Sequence, residues 1–177
     1  METDTSAATP HRRSTIREDL DRLARLYAMH AAGLARLACV LTGNLEVGQD
    51  IAQEAFVRVG GKLFGLRSDE HCRRYLYRTV INLSRGYGRK VTRERDAMRR
   101  MQQGTPQRLP DMAAQDEVWA ALQRLPHRQR AALYLRYYQD FSEVAAADAM
   151  GCSLPAIKSL TYRALKRMQQ ELEGDEQ

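Results

Sequence analysis

The sequence predicts an all-α fold in which two small helical domains are joined by a flexible linker, with a helix-turn-helix in the C-terminal domain. Ala, Leu, Arg, Glu and Gln dominate the composition, and these residues favour helices. Apolar residues recur at helical spacing through most of the chain, and no segment alternates as a strand does. Between residues 93 and 112 the apolar stripe is lost and Gly104, Pro106 and Pro110 break any helix, which indicates a linker.

The N-terminal domain is predicted to span residues 19–92. It follows a polar, charged segment at residues 1–18 that is typical of a mobile tail. Thr42-Gly43-Asn44 and Gly60-Gly61 interrupt the apolar pattern and mark helix ends. The pattern therefore predicts three helices, at about residues 19–41, 46–59 and 70–90.

The C-terminal domain is predicted to span residues 113–173 and to contain four helices. They are expected at about residues 113–125, 127–138, 142–150 and 153–172. Ser142 is a good helix N-cap, Gly151 stands where a left-handed residue ends a helix, and Ser153 can cap the next one. Two short helices joined by a Gly-containing turn are typical of a helix-turn-helix, although the same pair also occurs as plain packing inside a bundle.

The charge balance favours a polyanionic partner. The 177 residues carry a formal net charge of +6, and Lys or Arg placed on a phosphate releases condensed counterions. Cys39, Cys72 and Cys152 are too far apart for a zinc cluster, so we expect buried thiols, no metal and no cofactor. With no signal peptide and no long apolar run in the sequence, we expect a cytoplasmic protein.

The last predicted helix has an outward face that combines small, hydroxyl-bearing and basic residues. This mixture suits readout of base edges and phosphates in a DNA major groove, while the helical wheel alone is equally compatible with a solvated basic face. The residues on this face and its flank are Ala156, Lys158, Ser159, Tyr162, Arg163 and Lys166.

Two helices of the N-terminal domain also have distinctive outward faces. The helix at residues 46–59 presents acidic and amide groups beside an apolar residue, a mixture that suits a helical protein partner but also an ordinary solvated face. Its outward residues are Asp50, Gln53, Glu54 and Val57, with Phe56 at the margin. The helix at residues 70–90 suits a phosphate track with unstacked bases. Its outward residues are Arg74, Arg78, Asn82, Arg85 and Arg89, with Tyr75 beside them.

Three segments, in this order along the chain, resemble bacterial sigma factors of the extracytoplasmic-function group. Asp50–Val59 is similar to the segment that docks on the clamp helices of the polymerase β′ subunit. Arg73–Leu83 is similar to the minus-ten element, and Leu125–Tyr138 with Asp140–Glu143 is similar to region four. Tyr75 stands where many relatives carry Trp, Leu160 where a basic residue is common, and Thr161 where an aliphatic residue is usual.

The resemblance implies a role for each outward face. The face around Arg163 would read the minus-thirty-five element, and the face around Arg78 the minus-ten element. The outward residues from Asp50 to Val57, with Phe56, would bind core polymerase. The loop Phe64–His71 is the expected pocket for a flipped base, with Asn82 at its floor. The family also implies a contact with the polymerase β flap and, commonly, control by an anti-sigma factor.

The leading hypothesis is therefore a dissociable initiation subunit with no reaction of its own. A stand-alone helix-turn-helix regulator would leave the acidic face and the arginine row without a purpose. An enzyme is disfavoured because the sequence has no His–carboxylate motif, no Gly-rich phosphate loop and no metal-ligand spacing. A partner-sequestering helical protein, such as an anti-sigma factor, would not need DNA-facing chemistry.

Overall fold

The computed structural model describes residues 10–62, 66, 68–98 and 116–174. Within these ranges every regular element is helical, which confirms the predicted all-α class. The elements are α1 (Pro10–Thr42), α2 (Leu45–Gly60), α3 (Asp69–Met98), α4 (Asp116–Arg124), α5 (His127–Leu133), a π-helical turn (Tyr134–Tyr138), α6 (Glu143–Met150) and α7 (Leu154–Gly174). None of the described helices is long and apolar enough to cross a membrane.

Helix α1 begins at Pro10, earlier than the predicted start at residue 19. Part of the segment expected to be a mobile tail is therefore helical, and residues 1–9 lie outside the described part of the chain. Pro suits the first helical position because its fixed φ matches the helix and its missing N–H has no partner there anyway. The helix ends at Thr42, where Gly43 takes a φ of +74°, as the predicted break requires.

Helices α1 and α2 form an antiparallel hairpin, with α3 packed across both. The Asn44 side chain caps α2 by accepting a hydrogen bond of 3.0 Å from the Val47 amide. Gly48 allows the two backbones to approach closely, since a Cβ atom there would lie 2.8 Å from the Cys39 nitrogen. Helix α3 runs to Met98, so the start of the predicted linker is helical, and residues 99–112 lie outside the described ranges.

The C-terminal helices form a second group. The predicted helix at residues 127–138 divides into α5 and the π-helical turn. In this turn the Gln139 amide bonds to the Tyr134 carbonyl at 3.1 Å, and the Phe141 amide bonds to Leu135 at 2.9 Å. These bonds span five and six residues, so the chain is wider here than in an α-helix. The chain leaves the turn through Asp140, whose φ is +50°.

The two groups of helices pack directly on each other. One continuous apolar core runs from Leu26 and Leu37 of α1 through Tyr77 of α3 to Phe141 and Ile157. The sequence predicted two domains separated by a linker and gave no indication of this contact. The packing brings the start of the helix-turn-helix against α3.

Candidate nucleic-acid and polymerase interfaces

The helix-turn-helix has the capping geometry that the sequence predicted. The Ser142 Oγ accepts a hydrogen bond of 3.1 Å from the Ala145 amide at the start of α6. Gly151 ends α6 in the left-handed region, with φ +58° and ψ +47°. The Ser153 Oγ lies 3.4 Å from the Ala156 amide at the start of α7. These caps set the angle between α6 and α7, and α7 presents its outer side to solvent.

Helix α7 buries Ile157, Leu160 and Ala164. Leu160, which stands where a basic residue is common in the resembled family, is only 8% exposed and is therefore a core residue. Leu165 is exposed although it is large and apolar. The buried positions 157, 160 and 164 and the half-buried Met168 follow the three- and four-residue steps of one helical face.

The predicted recognition residues lie mostly on the open side of α7. Exposed side chains there are Lys158, Ser159, Tyr162, Arg163 and Lys166, whereas Ala156 is half-buried. Tyr162 is 67% exposed. The Thr161 hydroxyl donates to the Ile157 carbonyl at 2.9 Å, so its polar group is satisfied by the preceding turn, as expected for a hydroxyl close to the core.

The basic side chains of this face have only weak partners within the protein. The Lys158 Nζ lies 3.4 Å from the Glu143 carboxylate, and both side chains are largely exposed. The Arg163 Nε donates to the Ser159 carbonyl at 3.2 Å. An exposed ion pair contributes about 0–1 kcal/mol, so a phosphate can replace these contacts at little energetic cost.

Helix α3 carries the predicted row of arginines. Arg78, Asn82, Arg85 and Arg89 are exposed, while Arg74 and Tyr75 are half-buried. Beside this row, a cleft of about 410 Å³ opens between the end of α2 and α3. Its lining residues are Val57, Arg58, Gly61, Lys62, Tyr75, Arg78, Thr79 and Asn82.

Lys62 closes one side of this cleft. Its Nζ donates to the Tyr75 hydroxyl at 2.8 Å and lies 5.3 Å from the centre of the Tyr75 ring. The sequence interpretation did not include Lys62 or Thr79, because the turn at Gly60-Gly61 is what brings Lys62 back towards α3. The cleft therefore combines an aromatic ring, an amide and three cationic side chains.

The predicted base-binding loop Phe64–His71 lies partly outside the described residues, which omit 63–65 and 67. The remainder is held to α1 by Arg22. The Arg22 Nη1 donates to the Leu66 carbonyl at 2.8 Å, and its Nε lies 2.7 Å from the Asp69 carboxylate. Arg22 thus links Leu66 and the first residue of α3 to α1.

The predicted polymerase face of α2 is exposed at Asp50, Gln53 and Glu54. Val57 is 71% exposed, whereas Phe56 is only 5% exposed and its ring centre lies 4.9 Å from that of Tyr27. Phe56 is therefore mainly a packing residue, and only its edge is available at the bottom of a groove.

That groove runs between α1 and α2 and measures about 430 Å³. Its lining is apolar: Leu20, Leu23, Ala24, Tyr27, Phe56, Val57 and Gly60. Leu20 and Tyr27 are exposed although they are large and apolar. Sequence reasoning missed the contribution of α1, because helical spacing alone does not show which apolar residues remain uncovered.

The cysteines have no features of a reactive or metal-binding site. Burial raises the pKa of Cys39 to about 11 and also raises the pKa of Cys72, so both thiols are neutral at physiological pH. Cys152 is half-buried at the turn after α6. In the described part of the chain, no three His, Cys, Asp or Glu side chains lie close enough together to hold a metal ion.

Comparisons with known proteins find similar sequences over most of the chain. Residues 115–168 match the family model described as Sigma-70, region 4. The extracytoplasmic-function sigma factor EcfG of Rhodopseudomonas palustris is 30% identical, over 76% of this chain and 76% of its own length. A sigma-E factor of Streptomyces avermitilis is 29% identical, over 80% of this chain and 79% of its own.

The fold also matches a solved structure. The sigma factor RpoE of Bartonella quintana, crystallised with the anti-sigma factor NepR, aligns with a TM-score of 0.73 and 22% identity. The alignment covers 85% of this chain and 96% of the other. The similarity therefore includes both groups of helices.

Sequence, fold and relatives agree on one identity. The matches confirm the predicted function, that of an RNA polymerase sigma factor. Sigma factors bind core RNA polymerase and direct promoter-specific initiation, and they contribute no catalytic reaction of their own. The chain belongs to the extracytoplasmic-function family of RNA polymerase sigma factors.

Proposed function

We propose that this sigma factor uses three separate surfaces, one for each promoter element and one for core polymerase. The exposed face of α7 reads the minus-thirty-five element, the arginine row of α3 with its adjacent cleft reads the minus-ten element, and the outer side of α2 binds polymerase. The observation that carries the proposal is the cleft beside Tyr75, Arg78 and Asn82, because it combines stacking, phosphate and base-edge chemistry at one place.

On α7, the small and hydroxyl-bearing residues allow the helix to enter a major groove. Ala156 and Ser159 lie between longer side chains, and Arg163 and Lys166 can reach guanine edges or phosphates. A good bidentate contact contributes about 1–3 kcal/mol of discrimination. Arg163→Ala should therefore weaken binding to a duplex carrying the upstream element by about tenfold.

The matched control for that variant is Arg167→Ala. Arg167 is an exposed arginine on the same helix, outside the proposed reading face. Both substitutions remove one positive charge, so the general electrostatic loss is the same. Equal losses for the two variants, measured by equilibrium binding at one salt concentration, would contradict a specific role for Arg163.

The cleft of α3 suits an unpaired base of the non-template strand. Flipping a base costs a few kcal/mol, and stacking on an aromatic ring returns about 1–3 kcal/mol. Tyr75 supplies the ring, the Asn82 amide can bond a base edge, and Lys62 with Arg78 can hold the adjoining phosphates. Asn82→Ala should therefore impair strand opening, detected by permanganate reactivity, while upstream duplex binding by the same protein is preserved.

The outer side of α2 suits a helical partner that carries both basic and apolar residues. Asp50 and Glu54 provide negative charge, and Val57 adjoins the apolar groove lined by Leu20 and Tyr27. The clamp helices of the polymerase β′ subunit are the proposed partner. Val57→Asp should weaken core binding at least tenfold, whereas Asp at the similarly exposed Met29 of α1, which does not line the groove, should not.

Two further partners follow from the family. We infer a contact between the C-terminal helices and the polymerase β flap, and control by an anti-sigma factor, as in the solved complex of RpoE with NepR. The site of action is the cytoplasm, where polymerase and the chromosome lie.

Transcription of genomic DNA by core polymerase with this purified chain tests the proposal as a whole. The expected result is a set of start sites that share one upstream and one downstream element. A complete absence of promoter-specific transcripts would contradict the proposal. A stand-alone regulator would instead bind duplex DNA without capturing core polymerase in a pull-down.

A further inference from the structure

Arg22 of α1 holds the chain between α2 and α3 at two points. Its Nη1 donates to the Leu66 carbonyl at 2.8 Å, and its Nε lies 2.7 Å from the Asp69 carboxylate. The two partners are 44 and 47 residues away along the chain. One guanidinium can make both bonds together because its N–H groups form a rigid planar fork. Arg22 therefore fixes the position of two points relative to α1.

The bridge is sheltered from water on the arginine side. The Arg22 side chain is only 18% exposed, while that of Asp69 is 51% exposed. Leu66 is 7% exposed and belongs to the apolar core. The hydrogen bond to Asp69 raises the pKa of Arg22, so the guanidinium is always charged. Arginines on a protein surface usually extend into water, whereas this one is turned towards the start of α3.

The two points that Arg22 holds lie on either side of the cleft between α2 and α3. Asp69 is the first residue of α3, and Tyr75 follows six residues later, or roughly 9 Å along the helix axis. On the other side, Leu66 comes four residues after Lys62, so their Cα atoms are at most about 14 Å apart. Lys62 and Tyr75 are the residues that meet across this cleft. The position of both therefore depends on where Arg22 holds the chain.

The rest of α3 is held by other means, so the effect of Arg22 is local. The Ser68 Oγ accepts a hydrogen bond of 3.1 Å from the His71 amide and caps the helix within its own segment. Cys72 and Leu76 are fully buried in the core. Loss of Arg22 should therefore shift the first turn of α3 and the residues before it, without unfolding the helix.

We propose that Arg22 is a positioning residue for recognition of the minus-ten element. It fixes Leu66 and the start of α3, and so sets the spacing across the cleft that holds a base of the non-template strand. The inference rests on the proposed function of this cleft. Arg22 itself does not touch DNA, because its guanidinium is sheltered and already bonds two partners.

The test measures how tightly the complex with core polymerase binds a single-stranded oligonucleotide. The oligonucleotide carries the non-template sequence of the downstream element, as mapped from the transcription start sites. Arg22→Gln should weaken this binding by about fivefold or more, because both bonds are lost. Arg22→Lys keeps the charge but lacks the planar fork, so its loss should be intermediate. Binding of the upstream duplex should be the same in both variants and the parent.

The matched control is Arg25→Gln. Arg25 is an exposed arginine one turn further along α1, so its replacement removes the same charge from the same helix. It should change strand binding by less than about twofold.

A second measurement separates positioning from a general loss of stability. Each nucleotide of the strand is replaced in turn by an abasic one. Removal of the held base should weaken binding of the parent protein. The same removal should cost the Arg22→Gln protein about threefold less, because the two changes disturb one contact. At every other position the two proteins should lose affinity equally.

Three results would overturn the role of Arg22. The first is strand binding by Arg22→Gln within twofold of the Arg25→Gln control. The second is an equal abasic loss in parent and variant at every position. The third is an equal weakening of core polymerase binding, which would mean that Arg22 supports the neighbouring groove at Leu20 and Leu23 instead.

Asp69→Asn gives the same test with a smaller perturbation, should the Arg22→Gln protein fail to fold. It weakens one bond of the bridge and leaves the Leu66 bond in place, so a smaller loss with the same abasic pattern is expected. No loss would again overturn the role of Arg22. Failure of the proposed function is distinguishable, because Asn82→Ala would then bind the strand as tightly as the parent protein. If only the inference on Arg22 fails, the Asn82 variant remains defective.

Discussion

The α1–α2 contact and the α3–α6 contact are made by different kinds of chemical group. Between α1 and α2 the backbones approach at Gly48 and Cys39, and buried Leu37, Ala55 and Val59 surround them. Burying such apolar surface contributes about 25 cal/mol per Å². The apolar groups of this contact have no comparably favourable environment once they are exposed to water.

The α3–α6 contact and the segment leading into it combine apolar packing with polar pairs. Tyr77 packs on Phe141, and the buried Ala146 and Ala149 of α6 belong to the same core. Guanidinium, hydroxyl, amide and carboxylate groups add an ion pair and hydrogen bonds, and these groups regain water when they separate, so their net stabilisation is small. The hairpin thus depends on apolar packing, whereas this second contact depends on apolar packing and polar pairs together.

The largest expected effect comes from breaking the fixed contact. Gly48→Val should lower the free energy of unfolding by about 3 kcal/mol or more, because overpacking against backbone atoms cannot be relieved by a side-chain rotation. A chemical denaturation curve measures it. The control is Gly86→Ala in α3, where an added Cβ meets nothing within 4 Å. That control should raise stability by up to about 1 kcal/mol, and a similar loss in both variants would refute the distinction.

Acid should act on the C-terminal helices through His127. Burial, together with the charges of Arg130 and Arg85, lowers the pKa of His127 to about 4. The unfolded chain binds a proton below about pH 6.5, whereas the folded chain does so only near pH 4, so stability falls as the pH falls through this window. The loss should reach up to about 3 kcal/mol.

Replacing His127 by Gln should remove most of that pH dependence, as measured by denaturation between pH 7 and pH 4. The matched control replaces the exposed His71 by Gln, and the slope of this variant is the reference for the slope of the His127 variant. An identical slope in the His127 variant and the parent protein would show that other groups control the acid response.

A smaller effect is expected from removing a single hydroxyl between α3 and the segment that leads into α6. Tyr77→Phe removes the hydrogen bond to Gln139 and keeps the ring against Phe141. The loss should be about 1 kcal/mol and should appear as faster hydrogen exchange in the segment around Gln139. Exchange in the α1–α2 hairpin should not change. Equal acceleration in both regions would mean that the two contacts open together.

Salt should produce the smallest change and separate the two contacts most directly. Raising the salt concentration from about 0.05 M to 1 M shortens the Debye length to ~3 Å. The half-exposed Arg74–Asp148 pair should then weaken by at most about 1 kcal/mol, which a denaturation curve at each salt concentration measures as a lower free energy of unfolding. Asp148→Ala should show less salt dependence, and an undiminished response in that variant would implicate other charges.

Much of this architecture could be predicted from local patterns. The caps Ser142, Gly151 and Ser153 defined the helix-turn-helix, and the predicted outward row of α3 lies opposite an apolar stripe in which Leu76 and Val80 are buried. Tyr77 was missed because it lies beside that stripe and is covered by Phe141 from a distant segment. Periodicity identifies the face that is buried by neighbouring helices in general, but it contains no information on which remote segment covers a second face.

The candidate sites likewise include residues that could be predicted from local patterns and residues that could not. Exposed positions such as Arg163, Asn82 and Val57 could be predicted because each lies opposite an apolar stripe. The cleft at Lys62 and the groove at Tyr27 could not, because each depends on how two helices meet. The roles of these residues in binding remain predictions that the variants above test.

The π-helical turn at Tyr134–Tyr138 changes the direction in which the side chains after it point. Each residue of an α-helix advances the direction of its side chain by about 100°, so the wider turn offsets every residue after it. Gln139 and Phe141 point towards α3 because of that offset. Chain length at this turn thus sets the direction of α6 and α7, and losing one residue there would rotate both helices without altering any residue proposed to touch DNA.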